Sequence, residues 1–321
     1  MADVDALLLG APLTLTAPQV IEKAGISEEL AEAVWAALGF AEVDDDQVAF
    51  TELDVEALQE SAALIASGVV DTDTWLVMAR AMGQSLSRLA EAQVDVFRRV
   101  ADDVSGEEVI EATLGMAEDV VPRIEDLLLF VWRRQFAAAV HRALASGPTA
   151  GALPVLAVGF VDIVDYTRSS REWDAARLER TLETFERDVA LRVGAVGGRV
   201  VKTLGDGVLY VADSAAAAVA VAVDTVAAHD ADETLPAVRA GVALGPVLVR
   251  LGDVYGDPVN LASRLCDEAR AASVLVDKAV AAEVQEGPGL AVRPLARRSV
   301  RGFRSLTPYL VRREPAPARQ D

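Results

Sequence analysis

Two aspartates interrupt stretches that otherwise read as strand. Residues 153–166 run LPVLAVGFVDIVDY. Leu153 to Val161 is apolar enough for a buried strand, and Asp162 breaks it. An unpaired buried carboxylate is costly, so this position needs a partner or a metal. Asp206 lies in RVVKTLGDGVLY, residues 199–210. Val200 and Val201 lead into a polar break, Lys202 and Asp206 stand four apart around Gly205, and Val208 to Tyr210 resume a strand-like run. That is the pattern of a β-hairpin with a short polar tip. Taken alone, the stretch fits a solvated hairpin tip as well as it fits site chemistry. As a pair, the two carboxylates would be hard oxygen ligands for Mg²⁺ or Mn²⁺, metals that usually also bind substrate phosphates. His141 and His229 both fall in helical sequence and Cys266 is the lone cysteine, so there is no zinc set.

The elements that must position these residues divide the chain in two. Residues 1–60 read as short helices, with Val20, Ile21, Leu30, Val34 and Leu38 at helical spacing, Ser27 as an N-cap, Gly39 as a stop, and Thr51 or Asp54 opening the next helix. Asp73 can cap a following helix whose stripe of Trp75, Leu76, Met78, Met82, Leu86, Leu89 and Val94 reads as core. Pro122 suits the first turn of a long helix over about 124–144. That helix is apolar round most of its surface, so it should be buried on several sides or pack against a partner subunit. Ser146, Gly147, Pro148 and Gly151 then break the chain. The expected organisation is a helical domain over 1–123, a linker helix over 124–150, a second domain over 151–313 and a flexible tail over 314–321.

In the second domain the first strand is followed by an amphipathic helix marked by Leu178, Leu182, Phe185 and Val189. After the hairpin, Asp213 or Ser214 caps an alanine-rich helix ending near His229. Strands follow at 238–244 and 247–251 around the turn Gly245-Pro246. Then come a loop GDVYGDP (252–258), a helix at 259–269, and strands near 272–276, 290–295 and 307–312. The fold class is α+β, a helical half followed by an enlarged ferredoxin-like βαββαβ domain. In that topology the first strand and the hairpin are sheet neighbours, so Asp162 and Asp206, 44 positions apart, can meet.

Composition bounds the partners. Fifty acidic against thirty basic residues give a net charge of -20, which excludes duplex nucleic acid and anionic membranes as default partners. Lys23 is the only base between Met1 and Ala79, and only Lys202 and Lys278 join it as lysines. Any phosphate must be met by a local cation or a metal. The single cysteine suits a reducing compartment. No basic segment followed by an apolar core opens the chain, and no stretch reaches 18 clean apolar residues. A soluble cytoplasmic protein is expected.

Four ordered pieces carry a family resemblance: GFVDIVDYT (159–167), GGRVVKTLGDGVLYVA (197–212), RAGVALGPV (239–247) and GDVYGDPVNLASRL (252–265). Residues 154–313 resemble the catalytic domain of the class III nucleotide cyclases, and the two-part chain resembles a bacterial adenylate cyclase subgroup with an N-terminal helical, pH-responsive regulatory domain. The resemblance implies roles residue by residue. Asp162, Asp206 and the backbone carbonyl of Ile163 hold two Mg²⁺ or Mn²⁺ ions per site. Lys202 reads the adenine ring with Asp253 as its acidic partner. Asn260 orients the ribose, and Arg264, on the same helix face four residues on, stabilises the transferring phosphoryl group. Arg301 stands where a family lysine meets the terminal phosphates.

The implied reaction converts ATP to 3′,5′-cyclic AMP and pyrophosphate at sites shared across a homodimer, each chain supplying both half-sites. Adenine N1 accepts a hydrogen bond and its N6 amino group donates one, whereas guanine presents the reverse, so a lysine–aspartate pair argues for ATP. A guanylate cyclase, a catalytically inactive nucleotide-binding sensor and a helical nucleic-acid-binding regulator are the competing readings. The lysine–aspartate pair disfavours the first, the complete metal and Asn/Arg set the second, and the charge the third. Histidine is the side-chain type suited to pH sensing near neutrality, and His141 in the linker helix reads either as such a sensor or as a plain helical residue.

Overall fold

The structure, a computed structural model, describes residues 2–101, 108–145, 153–287, 289–300 and 303–314. Arg301, the helix breakers at 146–151 and the tail from 315 lie outside the described residues. The chain forms two compact units, Met1–Ala143 and Leu144–Asp321. No helix among the described residues is long and apolar enough to cross a membrane.

The first unit is helical: α1 (Ala2–Leu9), α2 (Ala17–Ala24), α3 (Glu28–Leu38), α4 (Glu52–Ala66), α5 (Thr72–Ala101) and α6 (Glu108–Ala145). Val20, Ala31, Val34, Phe50, Val55 and Leu58 form its core. Local chemistry sets the ends as the sequence suggests. Ser27 Oγ accepts the Leu30 N–H at 3.3 Å, Gly39 ends α3 in the left-handed region at φ 81°, and Thr51 and Asp54 make a capping box. Three expectations differ. Asp71, not Asp73, caps α5, accepting the Thr74 N–H at 2.7 Å. Pro122 lies inside α6, which starts well before it. Of the α5 stripe, Trp75 and Leu76 pack on the core, but Met78, Met82, Leu86 and Val94 are exposed. A 30-residue helix is about 45 Å long and outruns a core of this size. On α6, Leu127, Phe130, Trp132, Phe136 and Leu144 are exposed within the chain.

The second unit runs β1 (Val155–Ile163), α7 (Tyr166–Ser169), α8 (Ala175–Ala195), β2 (Arg199–Thr203), β3 (Gly207–Ala212), α9 (Ala215–Ala231), β4 (Val238–Pro246), β5 (Leu248–Arg250), β6 (Asp253–Tyr255), α10 (Asp257–Glu268), β7 (Ser273–Val276), α11 (Lys278–Val284), β8 (Leu290–Pro294), β9 (Arg298–Val300), β10 (Phe303–Leu306) and β11 (Tyr309–Arg313). The main sheet has the order β2-β3-β1-β4-β7-β11-β8. Its first four strands, with α8 and α9, are the expected ferredoxin-like core, β1 pairing antiparallel with both β3 and β4.

Period-two alternation assigns the faces. Ala157, Val161 and Ile163 of β1 pack with Phe185, Val189, Val219 and Ala222 of α8 and α9. Val158, with Leu156 and Phe160, packs with Ala262 and Leu265 of α10. Asp162 continues that second row. Two glycines allow close approach. A Cβ on Gly159 would lie 2.1 Å from the ring of Tyr210, and one on Gly241 would lie 2.2 Å from the Ala262 carbonyl oxygen. Tyr210 is fully buried, and its hydroxyl donates to the Ala218 carbonyl at 2.7 Å.

Candidate active site

Antiparallel register brings the two aspartates together. Asp162 pairs with Gly207 across β1 and β3, which sets Asp206 beside the end of β1. The Ile163 N–H donates to the Asp206 carbonyl at 3.0 Å, and the tip closes through Leu204 N–H to Gly207 O at 2.7 Å. Gly205 supplies the left-handed residue this tip requires, at φ 69°. Asp162, Ile163 and Asp206 line one cavity of about 580 Å³, together with Arg168, Arg171 and Arg239.

Arg239 was not among the residues singled out from sequence. It faces Asp162 directly across β1 and β4. Its Nε and Nη2 donate to Asp162 Oδ2 at 3.0 and 2.7 Å, and its Nη1 donates to the Asp267 carbonyl at 2.9 Å. The residue lies in RAGVALGPV, but only strand register shows that it meets Asp162. Burial pushes the Asp162 carboxyl above the usual carboxylate range; Arg239 pulls it back, and the nearby charge of Asp206 adds to the rise. Burial opposes the charge on Arg239, which Asp162 nonetheless holds above its ordinary value.

This donor set fits a hard divalent cation. A half-buried carboxylate that one arginine does not fully compensate, beside a second carboxylate, favours added positive charge. Among the described residues no group of three or more His, Cys, Asp or Glu could hold a metal by itself. Two carboxylates and a carbonyl suit Mg²⁺ or Mn²⁺, which keep waters and substrate oxygens as their remaining ligands.

Lys202 and Asp253 also meet. Lys202 Nζ donates to Asp253 Oδ2 at 2.6 Å. A register shift in β2 between Val200 and Lys202 sets Lys202 opposite Leu209, whose side chain packs in the α10-side core. Such a bulge re-aims a side chain, here toward Asp253. The segment expected to be a loop holds a strand: β5 and β6 form a hairpin with Arg250 opposite Asp253. Leu251 and Gly252 have φ of 52° and 81°, the two left-handed positions of a type I′ turn. Burial pushes the Asp253 carboxyl up, but hydrogen bonds from Lys202, the Val254 N–H and Tyr255 outweigh it, and the group ends below the usual range.

Asn260 and Arg264 stand one turn apart on α10, away from the face that buries Ala262, Leu265 and Cys266. Arg264 Nη1 donates to Asp267 Oδ2 at 3.0 Å. Burial raises the Cys266 thiol, which suits a packing role. Lys202, Asp253, Asn260 and Arg264 do not line the cavity that holds Asp162 and Asp206. Arg301 lies outside the described residues.

The sequence profile of the adenylate and guanylate cyclase catalytic domain matches residues 152–313. An adenylate cyclase of Streptomyces coelicolor is 38% identical over 97% of this chain and 89% of its own length. An adenylate cyclase of Streptomyces griseus is 38% identical over 88% of this chain and 71% of its own. A pH-sensitive adenylate cyclase of Mycobacterium tuberculosis is 29% identical over 85% and 71% respectively. With the paired aspartates at the β1 end and hairpin tip, the Lys202–Asp253 pair, and the Asn260–Arg264 helix face all on the matched segment, this chain belongs to the adenylate and guanylate cyclase catalytic domain family.

Proposed function

We propose that this chain is an adenylate cyclase that converts ATP to 3′,5′-cyclic AMP and pyrophosphate. The observation that carries the choice of base is the Lys202–Asp253 pair, joined at 2.6 Å. The ammonium can donate to adenine N1 while the carboxylate accepts from the N6 amino group. Guanine would set its N1–H against the ammonium and its O6 against the carboxylate, donor against donor and acceptor against acceptor. The names of the relatives above support the same choice.

Asp162, Asp206 and the Ile163 carbonyl would hold two divalent cations. When bound, these supply Lewis acidity, lowering the pKa of the ribose 3′-hydroxyl and neutralising phosphate charge. The chain's own residues do the rest. Asn260 orients the ribose. Arg264 aims planar donors at the α-phosphoryl oxygens, where charge develops. Arg239, held against Asp162, and Arg168 and Arg171 in the same cavity, give the triphosphate further cationic partners on a chain of net charge -20. The 3′-oxygen forms a bond to the α-phosphorus, the bond from that phosphorus to the pyrophosphate oxygen breaks, and the hydroxyl proton leaves to solvent or a phosphate oxygen.

Sites shared between two copies of the chain account for the separation of the two residue sets. A two-fold pair would place each aspartate cavity opposite the partner's base-reading and phosphoryl-binding residues, twice. The helical unit then serves as the regulatory part, with pH as its signal. The test is cyclase rate on ATP and on GTP, side by side, for the full chain with Mg²⁺ and with Mn²⁺ across a pH series. Cyclic AMP as the dominant product is expected. Nucleotide binding with no cyclic product under every condition makes the chain a nucleotide sensor instead.

A further inference from the structure

The helical unit holds a second cavity, of about 660 Å³, between α2, α3 and the segment that follows α3. That is the size of a small-molecule site. Three aromatic rings line it: Trp35, Phe40 and Phe50. Trp35 and Phe50 stack at 4.9 Å between centroids. Phe50 is buried, whereas Phe40 is 53% exposed, an arrangement that leaves a ring on the surface facing the cavity.

The charge around these rings is of one sign. Glu22, Glu28, Glu32, Glu42 and Asp45 line the same cavity, and among the described residues none of the five has an ion-pair partner. Lys23, the only base before Arg80, is paired with Glu52. Sixteen acids share that stretch with this one lysine, so the potential over the cavity is negative and draws cations. An anionic or fatty-acid ligand would meet uncompensated carboxylates. A neutral apolar ligand would explain the rings but not the rim. A compact alkylated ammonium satisfies both, because ring faces attract a cation through their quadrupole and carboxylates add long-range attraction.

We infer that this cavity binds an alkylated ammonium ligand, with Trp35, Phe40 and Phe50 against the methyl groups and the carboxylates around the charge. The test uses choline and its uncharged carbon isostere 3,3-dimethylbutanol, titrated separately into the full chain at low ionic strength and followed through tryptophan indole resonances by NMR. Choline is expected to shift the Trp35 signal and to bind about tenfold more tightly than the isostere. Phe40→Ala, at a half-exposed position, and the exposed double variant Glu28→Gln/Glu32→Gln are each expected to weaken choline several-fold while leaving the isostere nearly unchanged in the second variant. Equal affinity for the two probes overturns the inference and makes the cavity a plain apolar groove. Absence of binding by either probe, or choline binding that both variants leave unchanged, overturns it as well.

Discussion

At the residue scale the candidate site is built from contacting pairs, Asp162 with Arg239 and Lys202 with Asp253. Asp162 cannot be an isolated carboxylate, and Arg239 shields it without meeting its full demand for positive charge. Asp206→Asn should therefore leave the hairpin intact and lower the cyclisation rate by at least about 100-fold, measured at saturating ATP and Mn²⁺. The Lys202–Asp253 pair makes a selectivity prediction. Lys202→Glu with Asp253→Asn offers an acceptor to guanine N1–H and a donor to O6. The ratio of kcat/KM for ATP to that for GTP should fall by at least about 100-fold and invert. A pH prediction follows from Asp253, whose folded-state carboxyl lies below the usual range. A depressed carboxylate contributes stability that is present above its unfolded pKa, near 4, and is lost only as pH falls through the lower folded value. The Asp253 carboxylate thus stays charged through the neutral and mildly acidic range. The ATP-to-GTP preference should be flat between about pH 5 and pH 8, and a preference that collapses within that range would rule out this pair as the base reader.

At the element scale the geometry depends on two devices, a bulge and a contact. The β2 bulge turns Lys202 to the α10 side of the sheet. The contact is between Gly241 of β4 and α10, where a methyl group would lie 2.2 Å from the Ala262 carbonyl oxygen and 2.3 Å from the Cys266 nitrogen. Both obstacles are backbone, so neither can rotate away. Gly241→Ala should push α10 off the sheet, cost about 3 kcal/mol in denaturant unfolding, and lower cyclase rate because Asn260 and Arg264 move with the helix. Unchanged stability would mean that α10 does not sit this close. Much at this scale was legible from sequence. The Leu178, Leu182, Phe185 and Val189 spacing marks α8, and Ser27 and Gly39 mark the ends of α3. The β6 strand was not, because Leu251 takes a left-handed conformation that its type disfavours. The exposed outer part of the α5 stripe was not either, since spacing shows which residues share a face but not whether anything covers it.

At the scale of the whole molecule, one chain carries two sets of candidate site residues that do not line a common cavity. If catalysis needs two copies, a chain with Asp206→Asn and a chain with Arg264→Ala, each inactive alone, should restore activity when mixed and reassociated. Random pairing gives half mixed dimers with one intact site of two, so about a quarter of the wild-type rate is expected. No recovery would place both half-sites within one chain. Full-length protein and residues 144–321, which contain both core clusters of the second unit, should differ in their rate profiles against pH if the helical unit regulates; identical profiles would remove it from that role.

The sequence by itself determined the family and the α+β class, and it singled out the candidate chemical residues, because a carboxylate inside an apolar strand and a lysine beside a glycine turn are visible without coordinates. The tertiary structure decided who meets whom. Asp162 and Arg239 are 77 positions apart and Lys202 and Asp253 are 51 apart. Such contacts depend on strand register, on one bulge and on where a glycine lets a helix approach a sheet. A shift of one residue in the strand register or the loss of the bulge would turn the same side chains to the opposite face, and no local pattern fixes that choice.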